Sequence, residues 1–66
     1  MQLTINSEVK ELPDNLTVQE LLAHLDLTGK FTAVELNLEI VSFRTYAQTV
    51  LKDGDSLEIV TLVGGG

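Results

Sequence analysis

Thr17-Val18-Gln19-Glu20 is the strongest local signal in the sequence, because it fixes where the one clear helix must start. The spacing is that of a capping box. The threonine hydroxyl accepts from the backbone N–H three residues on, and the glutamate carboxylate reaches back to the threonine N–H. Leu16 before the cap and Leu21 at the fourth helical position fit a hydrophobic staple. Val18, Leu21, Leu22 and Leu25 recur at i, i+3, i+4 and i+7, which makes one apolar stripe. Gly29 offers a stop just past the end. The pattern predicts an amphipathic helix of roughly two to three turns, with one face to bury against something flat.

The flanking segments supply the flat surface. Met1, Leu3 and Ile5 alternate with Gln2 and Thr4, which predicts a strand with one buried face. Asn6-Ser7-Glu8 reads as a tight turn and 9–12 as a second strand, closing a hairpin. Pro13-Asp14-Asn15 breaks the chain before the helix. Beyond the helix, 33–36 and 38–41 read as strands, with Val34 and Leu36 on one side of the first. Phe43, Ala47, Val50 and Leu51 fall at roughly helical spacing, which predicts a short helix or 3₁₀ turn over 44–51. Asp53-Gly54-Asp55 is a turn, and Leu57, Ile59, Thr61 and Val63 then alternate with Glu58, Val60 and Leu62 in a last strand.

This order predicts an α+β fold, a mixed sheet packed on one helix. The last strand is apolar on both sides, so it belongs in the centre, parallel to the first. The helix covers one face. Glu58, Val60 and Leu62 point to the other, and an apolar stretch there is a candidate docking patch.

Composition narrows the function. The chain has 66 residues, enough for one small domain, and 44% of them are hydrophobic. It has no cysteine, which removes disulfides, zinc–thiolate sites and side-chain thiol chemistry. No stretch has the length of a membrane span and no signal-peptide pattern opens the chain, so a cytoplasmic location is expected. Ten acids against four bases give a net charge of −6. That balance argues against nucleic-acid backbone binding and steers the domain towards a basic protein face.

Three of the five glycines are Gly64, Gly65 and Gly66. Lacking Cβ atoms, such a tail fits a channel too narrow for other residues. Its terminal carboxylate could be activated by ATP and converted to an ester, amide or thioacid. A frayed or engineered end is the alternative, and the tail alone leaves both open. Residues 1–63 are read as the domain and 64–66 as a flexible tail.

The remaining reactive side chains read as structural, and no catalytic or metal-binding residue is predicted. His24 stands near the helix C-terminus, where positive charge is favoured. Asp53 and Asp55 are turn formers. Ser7, Ser42 and Ser56 lack the context of a nucleophile, Arg44 is a solvated charge, and Tyr46 packs with its hydroxyl at the surface.

Taken together, the chain resembles the ThiS/MoaD family of sulfur carriers, which have the ubiquitin-like β-grasp fold, and within it the ThiS type. The resemblance rests on Ala33-Val34-Glu35-Leu36-Asn37, Glu39-Ile40-Val41, Val50-Leu51-Lys52-Asp53-Gly54-Asp55, Leu57-Glu58-Ile59-Val60 and the ending Val63-Gly64-Gly65-Gly66. Leu16-Thr17-Val18 with Leu21-Leu22 matches the family's helix start. Three places depart from the family. Leu38 stands where glycine is frequent, Ser42-Phe43 where Pro-Arg is common, and Tyr46 where tryptophan is common.

The resemblance implies that the Gly66 carboxylate is the working group. An E1-like adenylyltransferase of the ThiF type would adenylate it with Mg-ATP. A cysteine-derived persulfide would turn it into a thiocarboxylate, and a thiazole synthase of the ThiG type would receive the sulfur. Gly64 and Gly65 would give clearance in the partner channel, and the carrier would bind no cofactor itself. Three other readings share parts of this pattern: a MoaD-like carrier for molybdopterin synthesis, a non-covalent ubiquitin-like interaction module, and a modifier joined to lysines. The length and the Asp-Gly-Asp and Leu-Glu-Ile-Val stretches favour the ThiS type.

Overall fold

The computed structural model describes residues 1–28 and 31–62. Along the chain run β1 (Gln2–Ile5), β2 (Glu8–Glu11), α1 (Val18–His24), β3 (Phe31–Leu36), β4 (Glu39–Val41), a 3₁₀ turn (Phe43–Thr45) and β5 (Ser56–Leu62). The strands form a five-stranded sheet in the order β2-β1-β5-β3-β4. β5 is parallel to β1 and antiparallel to β3, so the last strand is central, as its two-sided apolar pattern predicts.

Both hairpin turns carry two successive residues with positive φ: Asn6 (51°) and Ser7 (71°), then Asn37 (50°) and Leu38 (71°). That is the turn geometry whose twist matches the flanking strands. Asparagine tolerates it well, and each asparagine here also ties its turn to β5. Asn6 Nδ2 donates to the Ile59 carbonyl at 3.0 Å, and the Ile59 N–H donates to Asn6 Oδ1 at 2.7 Å. The Ser56 N–H donates to Asn37 Oδ1 at 3.0 Å, while the Asn37 N–H donates to the Ser56 carbonyl at 2.8 Å. A side-chain amide thus replaces a peptide unit where β1 ends, and another does so where β3 ends.

The helix starts where the sequence places it. The Glu20 N–H donates to Thr17 Oγ1 at 3.1 Å, and the Thr17 N–H donates to Glu20 Oε1 at 2.9 Å. The stapling residues Leu16 and Leu21 are both buried. The stop differs from expectation. Gly29 lies outside the described residues, and the helix has already ended at His24. Asp26 takes φ 60°, the Asp26 N–H donates to the Ala23 carbonyl at 3.1 Å, and the Leu27 N–H donates to the Leu22 carbonyl at 2.8 Å. This is a Schellman ending with aspartate in the place usually held by glycine.

Of the short helix or 3₁₀ turn expected over 44–51, the structure has the 3₁₀ turn, confined to Phe43–Thr45. Phe43, Ala47 and Val50 are exposed, so their spacing does not mark a buried stripe; only Leu51 joins the core. The segment after the turn has another task. Thr17 and Val50 form an antiparallel bridge, flanked by Val18 N–H to the Thr49 carbonyl (2.9 Å) and Leu51 N–H to the Leu16 carbonyl (2.8 Å). Those bonds need an extended chain at 49–51 and outweigh its weak helical period. β2 and β4 also shift slightly from expectation: β2 covers Glu8–Glu11, and Leu38 belongs to the turn before β4.

The core lies between α1 and one sheet face. Leu3, Ile5, Val34, Leu57 and Ile59 from the strands meet Val18, Leu21 and Leu22 from the helix, with Leu51 closing the side. No polar or charged side chain is buried among the described residues. Burial of apolar side chains is therefore the main favourable term, roughly 1.5–3 kcal/mol for each that is fully enclosed. At the sheet edge the Met1 ammonium donates to the Leu12 carbonyl at 2.6 Å. Its hydrogen bond to Asp14, opposed by desolvation and reinforced by Glu11, holds its pKa above the ordinary 8.0.

Two substitutions test the turns. Asn6→Gly keeps the backbone conformation and removes only the amide that pairs with Ile59. It should destabilise the fold by about 1–3 kcal/mol in urea unfolding, since it strips partners from half-buried peptide groups. A variant as stable as wild type would show that the amide contributes nothing. Leu38→Gly should stabilise by about 1 kcal/mol, because it relieves a left-handed leucine that is already 90% exposed. A lower melting temperature would contradict this.

Candidate functional site

The residues assigned covalent chemistry and tail clearance, Gly66, Gly65 and Gly64, lie outside the described residues, as does Val63. What the structure describes is the platform from which they extend. β5 alternates in burial from Ser56 to Val60. Leu57 and Ile59 enter the core, while Glu58, Val60 and Leu62 stand exposed on the face opposite α1. Val60 and Leu62 retain 56% and 57% of their surface.

Register decides what lies beside them. Across β3 and β5, Phe31 is opposite Leu62, Ala33 opposite Val60, and Glu35 opposite Glu58. Across β3 and β4, Glu35 is opposite Ile40. Opposed residues share a face, so Phe31, Ala33, Glu35 and Ile40 join the patch. Phe31 and Ile40 are 73% and 83% exposed. Sequence reading missed these four. Placing Val34 and Leu36 inward already sent Ala33 and Glu35 outward, but the pairing with β5 was not readable, and the predicted strand began after Phe31.

The other candidates are structural where the structure places them. Asp53 Oδ1 accepts from the Gln2 N–H at 2.6 Å, and Asp55 Oδ2 accepts from the Lys52 N–H at 2.8 Å. Gly54 between them has φ 89°, and its N–H donates to the Gln2 carbonyl at 2.8 Å. The Asp-Gly-Asp turn therefore holds β1 in place beside β5. Ser42 caps the 3₁₀ turn by accepting from the Arg44 N–H at 3.2 Å, and Ser7 occupies the first hairpin. The Arg44 guanidinium lies over the Phe43 ring, 5.8 Å from its centroid. His24 is the exposed last residue of α1. The Tyr46 hydroxyl is not at a free surface; it is part-buried and donates to the Thr32 carbonyl at 3.4 Å. Among the described residues no group of histidines and acids is placed to hold a metal ion.

A mixed sheet with parallel first and last strands at its centre, one helix across one face and a glycine tail beyond β5 is the architecture of a ubiquitin-like β-grasp protein. A crystal structure of the thiamine biosynthesis protein ThiS from Geobacter metallireducens is similar to it along the whole of both chains, with a TM-score of 0.85 and 35% identity. The chain belongs to the ThiS family, whose model matches residues 2–66. It is also similar to the sulfur carrier protein ThiS of Bacillus subtilis (strain 168), with 44% identity over 59 residues, covering 89% of each protein. A thiazole synthase of Paramagnetospirillum magneticum (strain ATCC 700264 / AMB-1) matches all 66 residues at 47% identity, and there the chain spans only 20% of the relative's length.

The two faces of β5 are separable by charge. Leu62→Asp should lower stability by no more than about 1 kcal/mol, the span of strand preference at an exposed site. Ile59→Asp, which puts an unpaired carboxylate in the core, should prevent folding. Equal losses in thermal unfolding would mean that Leu62 is core and the open face is misassigned.

Proposed function

We propose that this chain is a sulfur carrier of thiamine biosynthesis, working in the cytoplasm, with the carboxylate of Gly66 as the group that is loaded. The supporting observation is that the ThiS family match extends to residue 66, so the terminal glycines fall within the family's pattern. The thiazole synthase relative with a region like this whole chain also favours a thiazole-forming acceptor.

The chemistry starts from a poor leaving group. A ThiF-type adenylyltransferase uses Mg-ATP to convert the Gly66 carboxylate into an acyl-adenylate, releasing pyrophosphate. The terminal sulfur of a cysteine-derived persulfide attacks the carbonyl carbon and expels AMP, giving an acyl disulfide. A second thiol cleaves that S–S bond, leaving a thiocarboxylate on Gly66 and a new disulfide on the donor side. A ThiG-type thiazole synthase then takes the sulfur. The carrier supplies no base and no metal to these steps. Its domain docks through Glu58, Val60 and Leu62, and Gly64 and Gly65 let Gly66 reach two different active sites.

Intact mass spectrometry tests this directly. The chain is incubated with Mg-ATP, cysteine, a cysteine desulfurase and a ThiF-type enzyme. The expected product has one oxygen replaced by sulfur, with tandem spectra placing the change on Gly66. Gly66→Ala should load slowly or not at all while melting like wild type. No exchange with an enzyme that loads the Bacillus subtilis relative, or normal loading of a chain lacking Gly65 and Gly66, would overturn the reading.

A further inference from the structure

We infer that the acidic row of Glu35 and Glu58, next to the apolar rows nearest the tail, receives a cationic side chain of the adenylating enzyme. This rests on the carrier reading above and adds the partner's chemistry.

The apolar rows are two cross-strand pairs, Phe31 with Leu62 and Ala33 with Val60. Glu35 and Glu58 form the next row, with Ile40 beside Glu35. Directly opposed side chains have Cβ atoms about 4.5–5.5 Å apart, and like charges so placed destabilise a sheet. Among the described residues no ion pair neutralises them; the ion pairs there join the Met1 ammonium to Glu11 and Asp14. Lys10 is in register with Leu3, on the other face, and Arg44 lies over Phe43. The row is therefore a repulsive pair kept beside an exposed apolar stripe at the centre of the sheet.

Geometry and charge select the occupant. An enzyme that takes Gly66 into its active site must approach from the Leu62 end of β5, so it meets the apolar rows first. From Leu62 back to Glu58 is four residues of strand, about 13 Å. Residues 63–66 add at most about 14 Å if fully extended. The acidic pair thus lies no more than about 27 Å from the loaded carboxylate, well within one protein interface. A partner that dries the apolar rows also strips water from the neighbouring carboxylates, which then need a cation. An arginine suits them best, because its planar fork bonds two carboxylate groups at once. The net charge of −6 draws such a basic face towards the domain.

The test is steady-state adenylation of Glu35→Gln/Glu58→Gln, followed by ATP–pyrophosphate exchange with the ThiF-type enzyme at several salt concentrations. The expected KM for the carrier rises about tenfold, kcat stays within about twofold, and the salt dependence of KM largely disappears. The same variant should melt higher than wild type, because the repulsion is gone. Weaker binding with greater stability cannot come from a damaged fold. An unchanged KM in the double variant, with wild type turning over normally, overturns this inference alone. So does a defect seen only with thiazole synthase, which would make that enzyme the occupant. A wild-type chain that supports no exchange, with an enzyme that adenylates the Bacillus subtilis relative, overturns the carrier reading and this inference together.

Discussion

Most of the structure depends on β5 being locked in one register between β1 and β3. β3 pairs with β5 from Leu57 to Leu62, but on the other side the parallel pairing with β1 is short, covering Thr4–Ser56 and Ile5–Leu57. Asn6 and Asn37 continue the pairing with side-chain amides, one bonding Ile59 and the other Ser56. A slip of one residue would move Leu57 and Ile59 to the open face and bring Glu58 and Val60 into the core. With α1 packed against the face that holds Leu57 and Ile59, such a slip would bury a charge and expose two core side chains together.

The turns show what that locking requires. Asparagine accepts positive φ and also carries an amide that can imitate a peptide group, so one residue shapes the hairpin and extends the sheet. Leu38 does neither, and its left-handed backbone lies on a side chain that touches little. Glycine would serve this place as well, because only the backbone conformation matters there. The Asp-Gly-Asp turn follows the same logic from the other side: its carboxylates and the Gly54 N–H bond main-chain groups of β1 and its own turn, and none of this chemistry points to a ligand.

The platform and the tail have different physical needs. The platform must be rigid enough to present Phe31, Ala33, Val60 and Leu62 as one surface, and strand pairing at the sheet centre provides that. In the proposed role the glycines need clearance, which comes from lacking side chains rather than from any contact. Exposed Phe31, Ile40, Val60 and Leu62, beside an acid pair that no ion pair neutralises among the described residues, are poor choices for stability alone, and they lie on the face that leads into the tail.

Much of this was legible in the sequence. The capping box, the staple and the apolar stripe gave the helix its start and its buried face, because these signals depend on residues within a few positions of each other. Alternation in β1 and the two-residue period of β5 sorted inward from outward side chains, and the apolar residues on both sides of β5 placed it in the centre. The helix stop, the short extent of the 3₁₀ turn and the extended stretch after it were not legible. Asp26 ends the helix before Gly29 through bonds to Ala23 and Leu22, and 49–51 is held extended by Leu16 and Val18, far away in sequence. For the same reason Glu58, Val60 and Leu62 could be assigned to an open face, while Phe31, Ala33, Glu35 and Ile40 could not be seen beside them. Local periodicity determined which way each side chain points. Only long-range register decided which of them became neighbours, because pairing between strands is set by hydrogen bonds that the sequence order does not record.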